Sequence, residues 1–349
     1  MAKAASVLKR EIFSQPQVLQ RILRQERKRV EVVARRIAER DPKVVVIVGR
    51  GSADNAGIYS KYLFGALNKK LVALATPSLI TRYGAKPDMS DALVVAISQS
   101  GASQDVAAVV ETARAQGGLT LAITNTPGSP LAQAAEEVLL CHAGEERSVA
   151  ATKTYTAQLL LVALLSAHLE GNKQRLASVE RVPELVERAL DIEPDVERVA
   201  ERLRYLEHCA VVGRGFCYGT TFEIALKLKE LTYIIAQPYS SADFRHGPMA
   251  IVAPGFCVLV LAPQGKVMDD VEELCAQLAE RKAEVITVSD KASLLRSSTV
   301  GLALPRNVPE WLSPLTCVVP GQLLALHLAA VKGLPIDTPR GLSKVTVTR

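Results

Sequence analysis

The feature that most limits the fold is a pair of landmarks that occurs twice at one spacing. The apolar run Val44-Val45-Val46-Ile47-Val48 ends in Gly49-Arg50-Gly51, and 164 positions later Ala210-Val211-Val212 ends in Gly213-Arg214-Gly215. Leu93-Val94-Val95-Ala96-Ile97 leads into Ser98-Gln99-Ser100-Gly101. At the same offset of 164, the run from Val258 to Leu261 leads into Ala262-Pro263-Gln264-Gly265, and Asp269 stands opposite Asp105. Two strand–turn landmarks at one offset make an internal duplication the economical reading. Short unbroken apolar runs are the pattern of strands buried on both faces of a parallel sheet. Further runs at Leu71–Ala75, Leu119–Thr124 and Val138–Cys141 alternate with helical patterns. The chain is therefore expected to be α/β, with two tandem doubly wound parallel-sheet domains. Helix is expected from Ser6 to Glu39, split at Pro16, and again from Leu159 to Leu206.

Within this frame the stretch from Ser98 to Asp105 carries a binding signal. A buried strand, a small polar turn and a helix start bring free backbone N–H groups and the positive end of a helix dipole to one point. Ser98, Gln99, Ser100 and Ser103 add neutral donors there, which suits a phosphate ester. The competing reading is that Ser98 and Ser103 only cap the helix. The second copy has Ala262, Pro263 and Val267 in place of Ser98, Gln99 and Ser103, so the anion is assigned to the first copy alone.

Composition excludes other classes. Aromatic residues make up 4% of the 349, too few for base-stacking platforms. The formal charge of +6 is dispersed rather than gathered in a stripe, so no nucleic-acid partner is expected. The six cysteines are widely spaced with no Cys-x-x-Cys, which reads as buried thiols in a reducing compartment, with no metal site and no disulfide frame. No signal region and no apolar run near eighteen residues stands out, Leu159–Ala167 being the most apolar helix. A cytoplasmic protein without a membrane partner is expected.

Chemistry is expected in the second copy. Glu223, Lys227 and Glu230 share a helix face, either as a solvated ion-pair ladder or as a catalytic set. His246, between a polar loop and Gly247-Pro248, is expected to be exposed in a turn. Lys344 lies in the irregular tail that begins at Ile336 and is either a surface lysine or, if the tail closes over the anion, a nucleophilic amine.

These residues carry a resemblance that covers nearly the whole chain. Ser98-Gln99-Ser100-Gly101 with Ser103, Val149-Ala150-Ala151-Thr152-Lys153, Ala225-Leu226-Lys227-Leu228-Lys229-Glu230, His246-Gly247-Pro248 and Asp337-x-Pro-Arg with Lys344 resemble the double sugar-isomerase (SIS) domain proteins. The resemblance implies two flavodoxin-like domains. Residues 41–172 would be the phosphate-binding domain and 201–335 the catalytic one. Around them lie a helical segment at 1–40, a linker at 173–200 and a closing tail at 336–349. It implies that Ser98, Gln99, Ser100 and Ser103 hold phosphate, that Ser52, Glu146, Val149, Ala151 and Lys227 lie at the substrate, and that Glu230 moves a proton between C1 and C2 of an open-chain sugar. His246 would assist ring opening, supplied across a homodimer interface, and Lys344 would correspond to an imine-forming lysine. No cofactor is expected.

Gly49-Arg50-Gly51-Ser52 stands where the glucosamine-6-phosphate synthases of this family carry Cys-Gly-Thr-Ser, and Ala151 stands where they carry Ser before Thr-Lys. No glutaminase segment and no Cys at position 2 are present. The expected activity is therefore a glucosamine-6-phosphate deaminase. The alternatives are a fructosamine-6-phosphate deglycase, an ammonia-dependent synthase and, without catalysis, a sugar-phosphate sensor.

Overall fold

The structure is a computed structural model that describes residues 6–344. Residues 1–5 and 345–349, the ends of the expected N-terminal segment and tail, lie outside the described residues. By internal contacts the chain forms two compact units. The first unit comprises 15–146 and 153–183 together with Ser343 and Lys344. The second comprises 6–14, 147–152 and 184–342.

In the first unit, β1 (Val44–Val48), β2 (Leu71–Leu74), β3 (Ala92–Ser98), β4 (Leu119–Thr124) and β5 (Glu137–Leu140) form one sheet in the order β2-β1-β3-β4-β5. Every pairing is parallel. β3 and β4 are buried along their whole length, which is why their sequences are apolar without alternation. In the second unit β6 (His208–Gly213), β7 (Ile235–Ser240), β8 (Cys257–Ala262), β9 (Glu284–Ser289) and β10 (Val300–Ala303) repeat the arrangement as β7-β6-β8-β9-β10. The duplication is thus one of topology as well as of sequence.

This strand order decides where ligands bind. Chain connections leave β1 and β3 toward opposite sides of the sheet, so the loops at their carboxyl ends diverge and leave a crevice. Val48 pairs with Ala96 in register, which puts the Gly49–Ser52 and Ser98–Ser103 turns side by side at that point. In the second sheet β6 and β8 occupy the same place.

Two expectations from the sequence change. The N-terminal helix is broken twice, into Val7–Phe13, Gln15–Gln25 and Arg27–Arg40, at Ser14 and Glu26. Pro16 lies in the first turn of the middle helix, where its missing N–H costs nothing. The most apolar helix is Ser313–Val331 rather than Leu159–Ala167. By length and composition the stretch Glu310–Val331 could cross a membrane, but 83% of its apolar window is buried within the protein, as in a core helix. All six cysteines are free and buried, and burial pushes the thiols of Cys209 and Cys275 up to about 12 and about 11.

Candidate functional site

β3 ends at Ser98, and the turn that follows folds on its own hydroxyls. Ser98 Oγ accepts the Gly101 N–H at 3.1 Å, and Ser100 Oγ accepts the Ala102 N–H at 3.3 Å. The Gln99 carbonyl takes the Asn125 N–H at 3.0 Å, which ties the turn to the end of β4. Gly101 has φ +63°, and a Cβ there would lie 2.1 Å from Ser129 Oγ, so only glycine fits. Ser103 is the N-cap of the helix Gln104–Ala115, but its hydroxyl makes no capping bond. The reading of Ser103 as a simple cap is therefore set aside. Among the described residues no group accepts the amide N–H of Ser100 or of Ser103. Hydroxyls, an amide side chain and open backbone donors thus meet at a helix N-terminus, the arrangement that binds an oxyanion.

A charged clamp crosses the crevice. Arg50, leaving β1, donates through Nε at 2.8 Å and Nη2 at 2.5 Å to one oxygen of Asp105, which is buried in the first turn of Gln104–Ala115. This fixes the two turns to one another. Ser52 opens the next helix, Ser52–Ala66, after Gly51 at φ +56°.

The equivalent turn of the second unit is already filled. The amide of Gln264, which corresponds to Ser100, donates to Asp290 Oδ1 at 2.8 Å, and the Lys266 amide donates to Glu310 Oε2 at 3.0 Å. A Cβ on Gly265 would lie 2.1 Å from Glu310 Cδ, so glycine is what admits that carboxylate. The chain's own acids therefore take the Gln264 donor, whose counterpart at Ser100 is open in the first copy, and the Lys266 donor, whose counterpart at Ala102 is held there by Ser100 Oγ. The clamp is repeated with one change: Arg214 pairs with Asp270 at 2.8 Å, not with Asp269, the residue that the sequence offset picks out.

Glu146 and Lys344, both in the first unit, lie together. Glu146 is buried and accepts the Thr154 N–H at 3.1 Å, the Thr154 hydroxyl at 2.7 Å and Lys344 Nζ at 2.7 Å. Lys153 Nζ donates to the Glu145 carbonyl at 2.6 Å. Lys344 is therefore a charge partner of Glu146, and an imine would require that pair to part.

In the second unit the helix Tyr218–Thr232 carries the expected triad. Glu223 and Lys227 are fully buried, with Lys227 Nζ 2.5 Å from Glu230 Oε2 and 3.6 Å from Glu223 Oε1. The side chain of Glu230 is 21% exposed. A solvated ladder is excluded: one ammonium holds two carboxylates, of which only Glu230 reaches solvent. His246 is exposed at the end of the short helix Ser241–Arg245. Val149 and Ala151 lie on a loop held by Glu11, whose oxygens accept the Arg147 N–H at 2.6 Å and the Ser148 N–H at 3.2 Å. Upstream, Asp337 caps the helix that carries Glu11, accepting from Val7 and Leu8 at 2.9 Å each.

Each unit thus gathers its own set of expected residues: the Ser98–Ser103 turn and the Glu146–Lys344 pair in the first, Lys227–Glu230, His246 and the 149–151 loop in the second. Sequence reasoning missed Glu11, Asp270, Asp290 and Glu310. Asp270 alone carried a signal, as an acid in the first turn of the helix after the second copy's turn.

Comparison with known proteins agrees with this architecture. The chain is 37% identical over 349 residues to the glutamine–fructose-6-phosphate aminotransferase (isomerizing) of Thermococcus kodakarensis, covering 97% of this chain and 57% of that protein. It therefore spans little more than half the length of such relatives. A solved structure from Silicibacter pomeroyi, provisionally named a phosphosugar isomerase, is 32% identical with a TM-score of 0.87 and covers 95% of this chain and 99% of its own. The fold is also that of the glucosamine-6-phosphate deaminase of Thermotoga maritima, with a TM-score of 0.79 at 22% identity over 98% of this chain and 100% of that one. The model of the SIS domain matches at residues 40–167 and again at 203–332, so the chain belongs to the SIS domain family and carries that domain twice.

Proposed function

We propose that this protein is an enzyme that converts glucosamine 6-phosphate and water into fructose 6-phosphate and ammonia. The observation that carries the sugar-phosphate reading is the Ser98–Ser103 turn, open in one copy and closed by the chain's own carboxylates in the other. The names of the relatives support the same substrate class. The direction of reaction rests on Gly49-Arg50-Gly51-Ser52 and Ala151-Thr152-Lys153, which depart from the synthase pattern. At the first of these, Arg50 is committed to Asp105.

In this reading Ser98, Gln99, Ser100 and Ser103 hold the phosphate, and Ser52, Glu146, Val149 and Ala151 line the sugar. His246 assists ring opening, giving the C1 aldehyde, which acidifies the C2–H bond. Glu230 takes the C2 proton and returns it at C1, while a proton passes net from nitrogen to O1. The product is a C2 imine with a C1 alcohol. Water adds to the imine carbon and ammonia leaves, giving the ketose. Lys227, buried beside Glu230, holds that carboxylate in place. Once Lys344 is released from Glu146, its amine forms an imine with the ketose. A homodimer, with His246 serving the neighbouring subunit, completes the proposal.

Ammonia release from glucosamine 6-phosphate, measured beside amino-acid release from a fructosamine 6-phosphate, tests it. Ammonia from the first substrate is expected, with Glu230→Gln abolishing turnover while binding persists. Release of an amino acid alone would make the protein a deglycase. Binding without turnover of either would make it a sensor.

A further inference from the structure

The clamp of the second unit does more than repeat that of the first. Asp270, on the helix Met268–Glu280, fastens both ends of the five-residue helix Ser241–Arg245 that immediately precedes His246. At one end Ser241, fully buried, donates its hydroxyl to Asp270 Oδ2. At the other, Arg245 donates from Nη1 to Asp270 Oδ1 at 2.7 Å and from Nη2 to the Asp270 carbonyl at 2.6 Å. Arg214, from the turn after β6, reaches the same Oδ1 at 2.8 Å.

His246 itself is exposed and has no side-chain partner among the described residues. Its backbone N–H donates to the Asp243 carbonyl at 3.1 Å, so its position is inherited from the helix before it. Beyond it Gly247, at φ +124°, turns the chain away. Phe244 anchors that helix to the core, but an apolar anchor leaves rotation about its own axis open. Two polar fastenings at opposite ends of one turn of helix remove that freedom, as supporting hydrogen bonds do for a reacting side chain.

We infer that Asp270 is a positioning residue for His246, holding the Ser241–Arg245 helix through Ser241 and Arg245 so that the imidazole is presented to the sugar ring. The inference rests on the ring-opening role proposed for His246. In the first unit the equivalent acid, Asp105, clamps the anion turn through Arg50; in the second, Asp270 clamps the turn that ends in the histidine.

A double-mutant cycle on the full chain tests it, with ammonia release from glucosamine 6-phosphate as the assay. Acid–base groups contribute on the order of 10²–10⁴ in rate, so His246→Asn is expected to cost about a hundredfold in kcat. Asp270→Asn, which loosens the histidine without removing it, is expected to cost about tenfold in kcat with KM within about twofold, and Asp270→Glu to recover part of the loss. In the His246→Asn background Asp270→Asn is expected to cost nothing further. Ser241→Ala, which keeps the salt bridges, gives a milder loss of the same pattern should Asp270→Asn fold poorly. An equal loss in both backgrounds, or no loss from either variant, overturns the inference while leaving the His246 role intact. Full turnover by His246→Asn overturns that role and the inference with it.

Discussion

Lys227→Met isolates the buried charges of the second unit. Lys227 Nζ lies 3.6 Å from Glu223, which has no exposed surface, and 2.5 Å from Glu230. Methionine keeps the length of the side chain and removes the ammonium, so the variant retains a carboxylate in a desolvated place without that cation. Breaking a buried ion pair in this way costs about 3–5 kcal/mol. For a unit of this size, each kcal/mol lowers the melting temperature by about 2–4 °C, so a fall of roughly 6–20 °C is expected near pH 7.5. The sign of the pH dependence follows from burial. In the variant, desolvation raises the Glu223 pKa above its unfolded value of about 4.3. A raised carboxylate binds its proton more tightly folded than unfolded, so stability is retained at low pH and lost as pH rises through the raised value. The deficit of the variant should therefore narrow between pH 7.5 and pH 5. Glu223→Gln added to Lys227→Met removes the other buried charge and should restore most of the loss at neutral pH. Melting curves of the three proteins at both pH values decide the matter. A single variant that melts within about 2 °C of the parent at pH 7.5, or a double variant no better than the single, would refute the reasoning.

Gly101→Ala forces an L side chain to φ +63° and against Ser129 Oγ. A loss of about 1–3 kcal/mol and weaker phosphate inhibition are expected, read from melting and from competition by inorganic phosphate. Ser98→Ala with Ser100→Ala should raise KM by about tenfold or more with kcat little changed, and an unchanged KM would remove the turn from the phosphate assignment. Burial works to raise the Asp270 pKa, but the Ser241 and Arg245 hydrogen bonds and the Arg245 and Arg214 charges outweigh it and hold it below 3.8. Its stabilisation is thus complete above that pH and lost as pH falls through the lower folded value, so parent and Asp270→Asn melting points should converge in acid.

How much of this was legible in the sequence depended on how far apart the interacting residues lie. β3 and its turn were readable because a strand covered on both faces must be apolar at every position, and because the strand and its donors are contiguous. The repeat fixed the second sheet in the same way. The carboxylates that close the second turn were not readable: Asp290 and Glu310 reach it from 26 and 44 residues along the chain, and nothing local marks them. The Glu223, Lys227 and Glu230 spacing fits a solvated face as well as a buried one, and only packing distinguishes them. The helix Ser313–Val331 escaped notice because Thr316, Pro320, Gly321 and Gln322 interrupt the apolar run to the eye, although burial treats them as core. Asp269 was matched to Asp105 by offset, but Arg214 selects the next residue.

Glu310 and Asp290 also bear on stoichiometry. A duplicated protein inherits two receptacles for the same group, and a ligand with a phosphate at each end could be drawn to both. Here the later receptacle answers to acids that never dissociate, at an effective concentration no free metabolite reaches. The protein should titrate with one equivalent of a monophosphate per chain, and a second phosphate on the sugar should gain it no affinity at that turn.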